Sequence, residues 1–200
     1  MPLRDNPPIR RVGRKPLKHY TSYRNTLRED FDRRCGYCAC FDKIKSRSFT
    51  IDHFIPQNPD GWTHTLSPTD YYNLVYSCAY CNGAKTNKWP TKDVAIPNDG
   101  NIGFIDPVDP AYDQLFNRNE QGEIEISDPT SNLAAYIYRE LNLKRTTHSI
   151  LWKLEKVNKY LEVIEAKAKS LSGKSMEPEV NQLLVAYRIL SNEFFNNDDK

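Results

Sequence analysis

Two Cys-x-x-Cys pairs, Cys35/Cys38 and Cys78/Cys81, stand on either side of an Asp52-His53 step in a chain of 200 residues. Each pair makes a turn that can put two thiolates within reach of one tetrahedral Zn²⁺, and two such turns complete a closed structural site. This spacing therefore assigns Cys35, Cys38, Cys78 and Cys81 to zinc and turns everything between them into a closed loop. The competing reading is two disulfides, but nothing in the sequence points to an oxidising compartment, and neighbouring pairs of this kind inside cells more often hold metal. Cys40 is the spare cysteine. It could replace Cys35 or Cys38, but a single intervening residue makes a poorer knuckle, so a buried free thiol is expected.

Between the knuckles, Phe49-Thr50-Ile51 is a short β-prone run ending at Asp52-His53, and Leu74-Val75-Tyr76 is a second one leading into Cys78 and a helix-compatible segment ending near Lys88. The expected order is strand, long loop, strand, helix. If zinc pins the helix start beside the first strand, Asp52 and Asn82 can face each other across a small gap with His53 beside them. Asn82 and Lys85 are three apart and share a helix face. Such a cluster suits phosphodiester hydrolysis. Asp52 and Asn82 would offer oxygen ligands to Mg²⁺ or a similar hard cation, which binds through one or two protein oxygens plus waters and phosphate. A neutral His53 would take the proton from the attacking water. With one carboxylate in place, a one-metal site is favoured.

These residues, Cys35-x-x-Cys38, Asp52-His53, Asn73-Leu74, Cys78-x-x-Cys81-Asn82 and Lys85, resemble the pattern of the HNH (ββα-metal) endonuclease family. The resemblance implies an α+β fold with His53 as general base and Asn73 tying down the loop between the strands. Asp52 and Asn82 become ligands of a catalytic Mg²⁺ or Mn²⁺, and Lys85 belongs to the same catalytic pattern. Many members carry histidine where Asn82 stands, so the chain reads as an HNN variant, and an amide oxygen there favours hard cations over softer ones. The wider layout, with Trp89-Pro90 and Phe104-Ile105-Asp106-Pro107, also resembles stand-alone bacterial or phage HNH proteins of defence systems. Some of those work beside an ATPase partner, as in Septu-type and retron-linked pairs.

Overall charge says little about partners, since the formal net charge is only +2. Its distribution says more: residues 1–34 carry ten basic against four acidic residues, an asymmetry that points to an anionic partner, here nucleic acid. No secretory signal and no membrane span are expected, because no window approaches eighteen apolar residues, and a cytoplasmic setting follows as an expectation.

Four regions are expected. Residues 1–18, rich in Pro, Arg and Lys, read as an extended basic arm, either tracking phosphates or simply solvated. Residues 19–92 form the nuclease module and open on a helix bearing Tyr20, Tyr23, Leu27 and Phe31 at helical spacing, with Arg24 and Arg28 on its flank. The loop from Pro56 to Tyr72 holds Trp62 and His64, the latter read as a surface or cap histidine. Tyr71, Tyr72, Tyr76, Tyr80 and Trp89 are expected to pack rather than to stack on bases. Residues 93–130 form an irregular connection with a hairpin around Gln121-Gly122, whose acidic residues serve as caps and turns. Residues 131–200 are helical. Leu133, Ile137 and Leu141 share one face, and Ile150, Leu154, Val157, Leu161 and Ile164 another, running to Gly173. Ser175 would cap a last helix bearing Val180, Leu183, Leu184, Tyr187, Leu190 and Phe194, giving a C-terminal helical hairpin.

Three functions compete on these residues. The leading one is a metal-dependent endonuclease cutting DNA, with RNA as an alternative substrate. The others are a non-catalytic zinc module that binds nucleic acid and an interaction protein stapled by zinc. Asp52, His53 and Asn82 separate them, because a binding module has no use for oxygen ligands beside an imidazole.

Overall fold

The computed structural model describes residues 1–42, 49–170, 178, 180, 182, 183 and 185–190. The apolar stripe from Tyr20 to Phe31 forms a 3₁₀ turn (Tyr20–Tyr23) that runs into helix α1 (Arg24–Asp30), instead of one continuous helix. Tyr23, Leu27 and Phe31 from this stripe are buried, as three-four spacing demands.

Strand β1 (Phe49–His53) pairs antiparallel with β2 (Leu74–Cys78), in a register that sets Phe49 opposite Cys78 and His53 opposite Leu74. Every residue of β2 is buried, so the aromatic and β-branched choices Val75 and Tyr76 serve the core directly. Helix α2 (Ala79–Lys85) follows without a loop, and Cys78 acts as its N-cap, its sulfur accepting from the Cys81 N–H at 3.5 Å. The Cys35 knuckle docks on the same strand. Gly36 N–H donates to Tyr76 O at 2.8 Å, and a Cβ at Gly36 would come within 2.8 Å of both Phe31 and Val75. The missing side chain is what lets the first knuckle sit this close to β2.

The arm is not a solvated tail: its arginines are engaged with the module, while Lys15 and Lys18 are exposed. Arg4 donates to Gly36 O and Pro107 O and pairs with Asp113 at 2.7 Å. Arg10 donates to Leu74 O and forks onto Asp106. Arg11 pairs with Glu29 and Asp30. Further along, Arg28 pairs with Asp42, and Arg34 with Glu155. Half of the ten basic residues of this segment are thus spent on internal carboxylates, because a guanidinium fork satisfies buried carbonyls and carboxylates at once.

The connection packs back against the module. Helix α3 (Pro110–Leu115) is capped by Asp109, which accepts from Ala111 N–H, and strands β3 (Phe116–Arg118) and β4 (Ile124–Ile126) form the expected hairpin. Pro2 bridges to Asn117 beside it, with Met1 and Arg118 exchanging backbone hydrogen bonds. The acidic residues here act as expected: Asp128 turns the chain by accepting from Thr130 N–H, and Asp99 accepts from Asn101 and Ile102. Helix α4 (Asn132–Glu140) buries Leu133 and Ile137, with Leu141 just past its end. The long α5 (Thr146–Ser170) buries Ile150, Leu151 and Leu154 at its start. Gly173, Ser175, Leu184 and Phe194, which would define the turn, cap and last helix of the hairpin, lie outside the described residues. No described helix is long and apolar enough to cross a membrane.

Candidate active site and metal centre

The two knuckles converge. The Sγ atoms of Cys35, Cys38, Cys78 and Cys81 all lie within 4.8 Å of one another and all four residues are buried. Cys38 and Cys78 are 3.8 Å apart, the separation that two Zn–S bonds of about 2.3 Å subtend at a tetrahedral angle. The charges of the cluster make the same point. Cys78 is held well below the usual thiol range by the surrounding sulfurs, Cys35 first, while Cys81 is pushed well above it by the same neighbours. Four buried sulfurs cannot all ionise side by side, and a divalent cation removes that conflict. The four cysteines could hold zinc. Cys40 is buried close by, its carbonyl accepting from Cys35 N–H at 3.0 Å, and stands outside the four.

Arg118, which sequence reading passed over, lies behind this cluster. It is 2 % exposed, donates to Cys38 O at 2.6 Å and to Gly122 O at 2.5 Å, and among the described residues has no carboxylate partner. Burial pushes its guanidinium below its usual value, and Cys38, Cys40 and the more distant Glu155 oppose that shift. A buried cation with no carboxylate in direct contact calls for a counter-charge nearby. A zinc tetrathiolate carries one. No motif marks Arg118, because its meaning depends on a hairpin folding onto a knuckle far away in the chain.

Along β1, alternation puts Thr50 and Asp52 on the side facing α2. There the Asn82 amide nitrogen donates to Thr50 Oγ1 at 2.9 Å, and Lys85 lies 3.2 Å from Asp52 Oδ2. The strand pair Thr50/Asp52 thus meets the helix pair Asn82/Lys85 position for position. Tyr37, another residue that sequence reading passed over, donates to Asp52 Oδ2 at 2.5 Å from the first knuckle. Lys85 also donates to His53 O at 2.9 Å and is fully buried. Burial lowers its pKa, offset in part by Asp52.

His53 takes the other face of the strand. Its Nε2 lies 2.8 Å from Pro68 O, its ring meets Tyr20 edge-on with centroids 4.8 Å apart, and Gln57 is 3.1 Å from the same nitrogen. A carbonyl can only accept, so in the tautomer that donates Nε2–H to Pro68 O the other nitrogen, Nδ1, keeps the basic lone pair. Desolvation lowers the His53 pKa below 6.5, with Pro68, Asp52 and Lys85 making smaller contributions. The ring is therefore a free base at neutral pH.

Asn73 exchanges two hydrogen bonds with one backbone unit: its Oδ1 accepts from Ile55 N–H at 2.8 Å and its Nδ2 donates to Ile55 O at 2.9 Å. This clamp closes the long loop directly after His53. His64 does similar work further along, its two ring nitrogens meeting Pro56 O and Leu66 N–H.

Asp52, His53 and Asn82 line one open pocket of about 220 Å³, together with Ile51, Gln57 and Thr86. With its nitrogen committed to Thr50, Asn82 has its amide oxygen left for a cation. Asp52 enters the pocket already engaged with Lys85 and Tyr37. The donor set is thus one amide oxygen and one carboxylate whose charge Lys85 balances, which fits a cation held jointly with a phosphate better than one held by protein alone.

A strand pair leads into a helix beside four cysteines that could hold zinc, and Asp52, His53 and Asn82 line a common pocket. Residues 35–88 match the model of a family described as HNH endonuclease, and this match supports a nuclease acting on nucleic acid. No curated protein and no solved structure matches the chain.

Proposed function

We propose that the chain is a metal-dependent endonuclease of the HNN type that hydrolyses phosphodiester bonds, with DNA as its substrate. The observation that supports this most is the pocket that Asp52, His53 and Asn82 line together, with His53 Nε2 held 2.8 Å from Pro68 O; in the tautomer that donates to this carbonyl, Nδ1 is the base. His53 Nδ1 takes the proton of the attacking water. Its pKa, lowered by burial, keeps it ready to do so at neutral pH. A Mg²⁺ or Mn²⁺ ion held by oxygens of Asp52 and Asn82 would stabilise the charge on the scissile phosphate and the leaving oxygen.

Lys85 is a positioning residue and not one that touches substrate, in contrast to the catalytic place the family pattern suggests. Its ammonium is sealed from solvent and holds Asp52 and the His53 carbonyl in register. Asn73 positions the loop after His53 in the same way. Cys35, Cys38, Cys78 and Cys81 would hold zinc, which would staple the module in a structural role, since four sulfur ligands would leave no open position for substrate. A defence setting beside an ATPase partner rests on the resemblance of the flanking motifs alone.

The test uses purified protein with plasmid, single-stranded DNA and total RNA, each with Mg²⁺, Mn²⁺ or EDTA, beside a His53→Ala variant. Cation-dependent cleavage of DNA that disappears in the variant, with zinc content unchanged, is the expected result. Equal cleavage by both proteins would eliminate the base. Cleavage of RNA alone would move the substrate class.

A further inference from the structure

The loop between β1 and β2 is a wall with a hollow on each side. Pro56, Gln57 and Asn58 face the catalytic pocket. The other side lines a cleft of about 780 Å³, walled by Arg14, Trp62, His64, Tyr71, Tyr72 and Lys92. Two hydrogen bonds join the hollows through the wall. His64 Nε2 donates to Pro56 O at 2.8 Å, and Pro68 O, between cleft residues Ser67 and Thr69, accepts from His53. The proposed base is thus oriented by the far wall of this cleft.

What lines the cleft is specific in chemistry. The Trp62 indole nitrogen and Arg14 Nε are both buried and have no acceptor. A buried donor left without a partner is unfavourable, so two in one cleft mark a place where acceptors arrive from outside. The two carboxylates of the cleft are turned to the backbone: Asp70 accepts from Tyr72 N–H at 3.0 Å and Asp93 from Ala95 N–H at 2.8 Å. Lys92 is exposed, and Tyr72 is half exposed, in contrast to the buried Tyr71 and Tyr76 and to the packing role expected of it. The uncommitted groups are therefore aromatic faces, two N–H donors and a cation.

A flat ring with acceptor atoms on its edge, joined to a negative charge, satisfies all of them at once. We propose that this cleft holds an unpaired nucleotide next to the scissile phosphate. Its base stacks on Tyr72 and takes hydrogen bonds from Trp62 or Arg14, while Lys92 meets its phosphate. A base inside a duplex presents no free face, so the cleft selects single-stranded or frayed substrate over intact duplex. The position next to the scissile phosphate rests on the nuclease reading above, whereas the binding itself does not.

The test is therefore binding, in a His53→Ala background that leaves the oligonucleotide intact. A single-stranded oligonucleotide carrying 2-aminopurine, and the same sequence as a duplex, are titrated by fluorescence and anisotropy. Expected are 2-aminopurine quenching and tighter binding of the single strand. Tyr72→Ala should weaken the single-strand complex about tenfold, with duplex binding unmoved and Tyr72→Phe restoring it, since one stacked base contributes on that order. Trp62→Phe, which keeps a ring and removes the donor, should show a smaller loss for the single strand alone. Equal affinity of Tyr72→Ala and its parent, or equal losses for both strand forms, would overturn the proposal. Strand-selective loss without any wild-type cleavage would leave the cleft standing and sink the nuclease reading. Cleavage without strand-selective loss would do the reverse.

Discussion

The Lys85 ammonium lies 3.2 Å from Asp52 Oδ2, with Lys85 fully buried and Asp52 nearly so. The pair sits between α2 and β1, so a helix side chain fixes the strand residue that would meet the cation. Removing one member of a buried pair leaves the other charge uncompensated, which costs about 3–5 kcal/mol. Lys85→Met should therefore lower the thermal midpoint sharply, whereas Asp52→Asn/Lys85→Met together should recover part of the loss. Denaturant unfolding of the single and double variants checks this, and additive losses would refute the coupling.

Acid should inactivate the protein through His53. Burial lowers its pKa below 6.5, so the folded ring gives up its proton more readily than the unfolded one. The acid limb of the cleavage profile should fall below pH 6.5, and His53→Ala should lack that limb along with its activity. Stability carries the same sign: it is fully present above 6.5 and is lost as pH falls through the lower folded value, because the unfolded chain binds the proton first. Unfolding midpoints of wild type and His53→Ala between pH 5 and 8 should lie furthest apart at the upper end and approach each other at the lower, as the wild type alone loses the His53 contribution.

Arg118 should matter to zinc and not to cleavage chemistry directly. Replacing it by Met keeps much of the bulk but removes the positive charge and the bond to Cys38 O. Zinc release to a chromogenic chelator should then run faster by about 10- to 100-fold, the range typical of lost outer-shell partners. One equivalent of zinc per chain by elemental analysis is the expected wild-type content. Unchanged release kinetics would show that Arg118 merely fills space.

The arm should register as a stability element before it registers as a nucleic-acid contact. Arg10→Met removes the fork onto Asp106 and the bond to Leu74 O, and should cost about 1.5–3 kcal/mol, as bonds to charged groups do. Deleting residues 1–18 should cost more. Thermal melts read both effects. A deletion that melts like wild type yet flattens the salt dependence of binding would restore the phosphate-tracking view.

What the sequence by itself determined was everything carried by local spacing. The two knuckles, the strands ending at His53 and Cys78, the hairpin around Gly122, the acidic caps and the shared face of Asn82 and Lys85 follow from turn chemistry and from the periods of strand and helix. These are interactions among residues close in the chain, and residue type alone encodes them. Tertiary structure decided which partner each charge found. The arm arginines look free for phosphate until Asp106, Asp113 and Asp30 are folded beside them. Tyr37 on Asp52, Pro68 O on His53 and Arg118 behind Cys38 are likewise contacts between segments that only packing brings together. A long polar side chain is specified by the buried acceptor it reaches, and no local pattern names an acceptor on another part of the chain.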